Sequence, residues 1–252
     1  MKCFVINLKR AVERKQYISD QLHQLSQEFE FVEGVDWKDI DPAILSRTAS
    51  HIKIKNSYRT LTLGQMGCNL SHRNVLKWLV DSSERMIAVL EDDVRLSNDF
   101  PDVLDVIETT TKPFDIVFLG SRFTEEGLVN LVPLNNKFNF SLSKAREKGG
   151  WGYVITKEAA KKFLRILPEV TGPIDDALHA YFLHGLKTYT LNPQIVFHEE
   201  EAQRFSFNTE TKIENFVLKE ELMRFASLFY EFYTHKTCLR SRVKDEKNSN
   251  NN

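Results

Sequence analysis

The chain has 252 residues, 42% apolar and 11% aromatic, enough for one large α/β domain or a domain with a C-terminal appendage. A formal net charge of −1 removes any global electrostatic case for a nucleic-acid partner. Cys3, Cys68 and Cys238 lie far apart and one is necessarily odd, which speaks for a reducing compartment, and no apolar run approaches the roughly 18–20 residues of a membrane span.

In chain order, the opening MKCFVINLKR turns polar too soon for a secretory leader, so a cytoplasmic location is expected. Cys3 to Leu8 is a short apolar run of the kind that helices cover on both faces. From Ala11 to Leu25, Val12, Ile18, Leu22 and Leu25 recur at loosely helical spacing, and Asp36 to Tyr58 reads as loop with short helical pieces. Gly64 to Asp81 predicts a helix that starts at Gly64, with Met66, Leu70, Leu76, Leu79 and Val80 on its apolar side. Met86 to Leu90 is a buried-strand pattern. Asn98 to Thr109 predicts a helix capped by Asn98, and Asp115 to Leu119 another strand, stopped by Gly120. Residues 121–150 are polar and turn-rich and read as a mobile loop beside a site. Gly152 to Thr156 predicts a strand, and Lys157 to Leu167 a helix with Ala160, Phe163, Leu164 and Leu167 inward. Gly172 to His184 predicts a helix closed by Gly185, followed by two short strands around Asn192-Pro193. A long helical pattern covers Lys212 to Tyr233, and the asparagine-rich tail from Lys244 is expected to be disordered. Strands alternating with helices, without a repeat, predict an open α/β sheet.

The strand at 86–90 runs straight into Glu91, Asp92 and Asp93. Adjacent acids resist burial, but at a strand's C-terminal end they reach the rim where open α/β sheets bind ligands. Glu91 and Asp93, one residue apart, point to the same side of an extended chain and can share a hard cation. A solvated acidic turn ahead of the next helix is the competing reading. Metal-dependent phosphatases of the haloacid-dehalogenase type also use acids after a strand, but after the first one, which here ends in Asn7-Leu8-Lys9-Arg10.

Several blocks then combine in order: Val5-Ile-Asn-Leu-Lys-Arg10 with Arg14, Gly64-Gln-Met-Gly-Cys-Asn-Leu-Ser-His72, Leu90-Glu-Asp-Asp-Val94, Gly150-Trp-Gly-Tyr-Val-Ile155 and Gly172-Pro-Ile-Asp-Asp176. Over residues 2–200 the chain resembles glycosyltransferase family 25, the lipooligosaccharide galactosyltransferase-like enzymes. The resemblance implies a GT-A-like fold, with a Rossmann-like nucleotide-binding sheet joined to an acceptor-binding half. It implies a nucleotide-sugar donor, first of all UDP-galactose, a divalent metal such as Mn²⁺, and inversion at the anomeric carbon. The expected division is a catalytic domain over 1–205, a helical appendage over 206–243 and a tail over 244–252.

The family's aspartate-any-aspartate metal motif falls on Glu91-Asp92-Asp93, with glutamate in its first place. Asp93 and Glu91 are therefore the expected ligands, His198 after the last strand is a third, and Asp92 is expected near the ribose. Asn7 and Arg14 follow the first strand, where an arginine suits the donor's uracil or phosphates. Cys68 and His72, four apart on a helix, are weighed as metal ligands, while Val75 and Leu79 continue their stripe and favour a buried, hydrogen-bonded histidine. The resemblance adds a third reading, preferred over zinc, in which Ser71, His72 and Arg73, with Gly67 beside them, line the donor pocket. Trp151 is a candidate platform for a sugar ring, or a core tryptophan beside a tight turn. Asp175 and Asp176, in a first helical turn, offset the helix dipole or supply the base for the acceptor hydroxyl, with Asp176 the first choice. The implied acceptor is a lipid-linked oligosaccharide. A broad aromatic surface over residues 213–233, followed by Lys236, Arg240, Arg242 and Lys244, is expected to pack on the domain or in a homodimer, or to touch the inner membrane peripherally. An inactive nucleotide-sugar-binding module and a phosphatase are the alternative functions.

Overall fold

The computed structural model describes residues 1–41, 43–44, 61–120, 127–143, 149–170, 172–198 and 236–244. Its frame is an eight-stranded open sheet in the order β2-β1-β3-β8-β5-β9-β7-β6, with a small ribbon of β10 (Val196–His198) and β4 (Val94–Leu96) at one rim. The parallel part joins β1 (Lys2–Asn7), β2 (Glu30–Glu33) and β3 (Met86–Glu91). β8 (Gly152–Thr156) runs antiparallel between β3 and β5 (Ile116–Phe118), and β9 (Thr188–Asn192) returns parallel to β5.

Alternation along β1 separates two cores. Cys3 and Val5 face α1 (Val12–Gln24) and the amphipathic α3 (Phe100–Thr109). Phe4 and Ile6 face α2 (Leu63–Asp81) and α4 (Lys157–Ile166). Helices on both faces explain why β1, β3 and β5 read as unbroken apolar runs. The expected α/β class is therefore present. Among the described residues, no helix is long and apolar enough to cross a membrane.

Several local expectations change. Helix α2 starts one residue earlier, because Thr62 caps the Gln65 amide and Gln65 reaches back to Thr62 in a capping box. Val12 points outward at 68% exposed, leaving Ile18 and Leu22 as the buried face of α1. Asn98 is not the cap of α3: Ser97 Oγ accepts from the Asp99 amide instead, and Pro101 enters the first turn. The 121–150 loop contains a hairpin, β6 (Leu128–Pro133) and β7 (Asn139–Ser143), that extends the sheet beyond β9. Its inward residues Leu128, Val132, Phe140 and Leu142 are buried. The helix expected over 172–184 breaks at Ala180 into α5 (Ile174–His179) and α6 (Tyr181–His184), closed by a left-handed Gly185 as expected.

The 212–233 segment lies outside the described residues. Just beyond it, residues 236–244 form a helix, α7, whose Leu239 and Val243 pack against the first core. Arg242 donates to Thr188 O at 2.8 Å and lies over the Tyr181 and Tyr189 rings. Of the four basic residues expected near a membrane, Arg242 is thus turned onto the protein, while Lys236, Arg240 and Lys244 are exposed.

His184 gives the fold a pH dependence. Its Nε2 donates to Leu178 O and its Nδ1 accepts from the Leu186 amide, an arrangement only the neutral ring can satisfy. Burial lowers its pKa from 6.5 to about 4. The unfolded chain takes up this proton below 6.5 and the folded protein only near 4, so stability is full above 6.5 and falls as pH drops through that window. The contribution lost by pH 5 is about 2 kcal/mol. Urea unfolding at pH 7 and pH 5 should show that excess loss in the wild type and not in His184→Gln.

Candidate active site

The site forms at the C-terminal ends of β1 and β3. Register sets it, because Ile6 pairs with Glu91 and so brings Asn7 alongside Asp92. Asn7 Nδ2 donates to Asp92 Oδ2 at 2.7 Å and to Ala11 O at 3.1 Å. Arg14, on the first turns of α1, donates to Asp92 Oδ1 at 2.9 Å and pairs with Asp93 Oδ2 at 3.1 Å. In this structure Arg14 therefore answers the acids. Asp92 is 5% exposed, and burial raises its pKa despite Arg14 and Asn7. Burial, then the nearby Glu91 charge, pushes Asp93 up to about 7 against the pull of Arg14.

Glu91 is held from the other side. His72 Nε2 lies 3.2 Å and Cys68 Sγ 3.6 Å from its Oε1, and His72 Nδ1 meets the Tyr153 hydroxyl at 2.9 Å. A carboxylate only accepts, so His72 donates its Nε2–H to Glu91, while Nδ1 shares the second hydrogen bond with the Tyr153 hydroxyl. Burial opposes ionisation of Glu91, but the His72 and Cys68 contacts and the His198 charge hold its carboxyl below the ordinary value. His72 is fully buried, as the hydrogen-bonded reading expects.

Residues distant in sequence converge here. The β4-β10 ribbon pairs His198 with Val94, one residue past Asp93, and its ring centre lies 5.2 Å from that of Trp151. The Glu91 amide donates to Trp151 O at 2.9 Å. Asp175 accepts from the Gly149 amide at 3.0 Å, and its charge, with those of Glu91 and Asp93, adds to burial in pushing the Cys68 thiol well up. Asp175 is half-buried, whereas Asp176 is only 9% exposed.

Four candidates make contacts that hold the fold. Arg73 donates to the carbonyls of Leu167 (2.8 Å from Nη1) and Glu169 (2.9 Å), away from the acids. Gly67 allows the 34–35 turn to approach α2, since a Cβ there would stand 2.5 Å from Val35 O. Ser71 Oγ accepts from the Val35 amide at 2.8 Å and so ties down the same turn. Trp151 is 7% exposed and wedged between Gly149 and Gly120, so it is the core tryptophan rather than an open sugar platform. Gly120→Ala should cost about 1–3 kcal/mol, because its Cβ would collide with the indole and lie 2.5 Å from Val196 O. Denaturant midpoints measure the loss.

Tyr153 and His179 were not candidates from the sequence. A buried tyrosine in a strand needs a partner for its hydroxyl, which is the signal that points to His72. His179 stacks on Phe118 with centroids 3.6 Å apart and binds Gly149 O at 2.9 Å, bracing the turn that holds Asp175.

A divalent cation fits the acidic end. Asp93 Oδ1 is buried without a hydrogen-bond partner among the described residues, and carboxylate oxygens suit Mn²⁺ or Mg²⁺. The family model "Glycosyltransferase family 25 (LPS biosynthesis protein)" matches residues 1–178. Procollagen galactosyltransferase 1-A of Xenopus laevis is 29% identical over 209 residues, covering 74% of this chain and 32% of its own length. Procollagen galactosyltransferase 2 of Homo sapiens is 27% identical over 221 residues, covering 77% and 34%. A probable inactive glycosyltransferase 25 family member 3 of Bos taurus is 26% identical over 195 residues, covering 71% and 31%. The chain thus spans about a third of the length of the curated relatives it matches. With the matched model extending over most of the chain, and the acids of its blocks gathered at one rim of the sheet, the protein belongs to glycosyltransferase family 25.

Proposed function

We propose that the chain transfers a hexose, first of all galactose from UDP-galactose, to a hydroxyl of a lipid-linked oligosaccharide of the lipopolysaccharide outer core, with inversion. The observation that carries this reading is the Glu91-Asp92-Asp93 run at the end of β3, where Asp93 Oδ1 is buried without a hydrogen-bond partner among the described residues and the Asp175 and His198 charges act on Cys68 and Glu91 beside it. Asp93 and Glu91, with His198, would hold the divalent cation, which when bound offsets charge on the departing diphosphate. Asn7 and Arg14 keep Asp92 in place beside the ribose, and Arg14 can turn from the acids to the donor phosphates.

Inverting transfer forms the acceptor oxygen's bond to the anomeric carbon as the bond to the diphosphate breaks on the opposite face. The acceptor proton passes to a carboxylate. Asp175 supports that role better than Asp176, because it is the more accessible and the Gly149 amide fixes its carboxylate near the acids. The reaction would take place on the cytoplasmic side of the membrane that carries the acceptor.

A donor screen tests the proposal: purified chain, Mn²⁺ and each common nucleotide sugar, with nucleotide release as readout. UDP-galactose is expected to give the largest release, and chelator to abolish it reversibly. No release from any donor would make the chain an inactive nucleotide-sugar-binding module; the Bos taurus relative bears the name of a probable inactive family member. Release of inorganic phosphate without an acceptor would make it a phosphatase.

A further inference from the structure

We infer that Cys68, His72 and Glu91 form a preorganised site for a thiophilic divalent cation such as Zn²⁺, beside the oxygen-rich position at Asp93. The three donor atoms all lie within 4.8 Å of one another. Cys68 and His72, one helical turn apart on α2, present their donors to the end of β3. The observed spacings are 3.2 Å from His72 Nε2 to Glu91 Oε1 and 3.6 Å from Cys68 Sγ to the same oxygen. Tetrahedral zinc, from its usual bond lengths, sets these edges at about 3.4 and about 3.6 Å. Two edges of the triangle therefore have nearly the lengths that zinc ligands take before any ion enters, and the third lies within 4.8 Å.

Charge and surroundings agree with the geometry. A thiolate and a carboxylate neutralise a divalent ion, which lets it sit in a largely buried place. The Asp93 and Asp175 charges that disfavour the bare thiolate also attract a cation. Binding releases the Cys68 thiol proton to solvent. With Nε2 on the ion, Nδ1 carries the imidazole proton and donates it to the Tyr153 oxygen. Tyr153 then orients the ligating ring, as outer partners of zinc histidines do. Three protein ligands leave the fourth tetrahedral position to water. Glu91 belongs to both places, so on the proposed function a thiophilic ion withdraws it from the catalytic cation and inhibits transfer.

The test uses the full chain, freed of metal by chelation and titrated with Co²⁺ as a spectroscopic probe. A thiolate-to-cobalt charge-transfer band should rise to a single ion per chain and be displaced by Zn²⁺. Cys68→Ser should abolish the band and Cys238→Ser should retain it. Tyr153→Phe should weaken Zn²⁺ binding about 10- to 100-fold. A wild type without the band, or a band that survives Cys68→Ser, overturns the site. Inhibition of nucleotide release by Zn²⁺ is read separately: binding without inhibition keeps the site and overturns only the shared use of Glu91.

Discussion

Asp93→Ala is expected to lower glycosyl transfer by about a thousandfold or more while the fold stays intact. On the proposed function, the cation held by Asp93 would supply several kcal/mol to the departing diphosphate, which corresponds to a rate loss of that order. Stability should move the other way. Burial and Glu91 push the Asp93 carboxyl up to about 7, so its ionised form costs the folded state free energy at neutral pH. Its removal relieves that cost, and Arg14 keeps Asp92 as a partner. The variant should thus melt at or above the wild-type temperature and fail to release UDP in the presence of acceptor and Mn²⁺. Wild-type activity in Asp93→Ala, or in excess chelator, would sink the metal assignment.

Asp175→Asn should lower the transfer rate by roughly 10²–10⁴-fold, the range for loss of a general base. The amide oxygen can still accept from the Gly149 amide, so the turn should keep its shape and UDP affinity should hardly change. Asp176→Asn should retain transfer within about tenfold, since a residue 9% exposed has little access to an acceptor hydroxyl. A dead Asp176→Asn beside an active Asp175→Asn would exchange the two roles. Activity in both would place the base elsewhere.

The sheet was legible wherever a strand is covered on both faces, because such strands leave uninterrupted apolar runs, as at 86–90 and 115–119. β4 (Val94–Leu96) was hidden, since three residues following three acids carry no period of their own. The β6-β7 hairpin was hidden by its polar turn, Asn135 to Lys137, whose Asn135 side chain accepts from the Lys137 and Phe138 amides. For the site, chain order and strand ends located the acids. The sequence pointed to a buried His72 but did not disclose that its polar neighbours on α2 also face inward. Asn69, Ser71, His72 and Arg73 are all buried, and each bonds to a partner far along the chain that helical periodicity leaves out.

Those four side chains make α2 a common tether. Ser71 fastens the turn after β2, while Asn69 and Arg73 fasten the segment from Leu167 to Gly172 through three carbonyls, and His72 fastens Glu91. A turn anchored to a helix that itself spans the core opens only by breaking bonds whose other ends are immobile. Its excursions then approach the free energy of unfolding the whole unit. Amide exchange at Val35 should accordingly slow to the pace of α2, so that the rim flanking the acids behaves as part of the rigid interior.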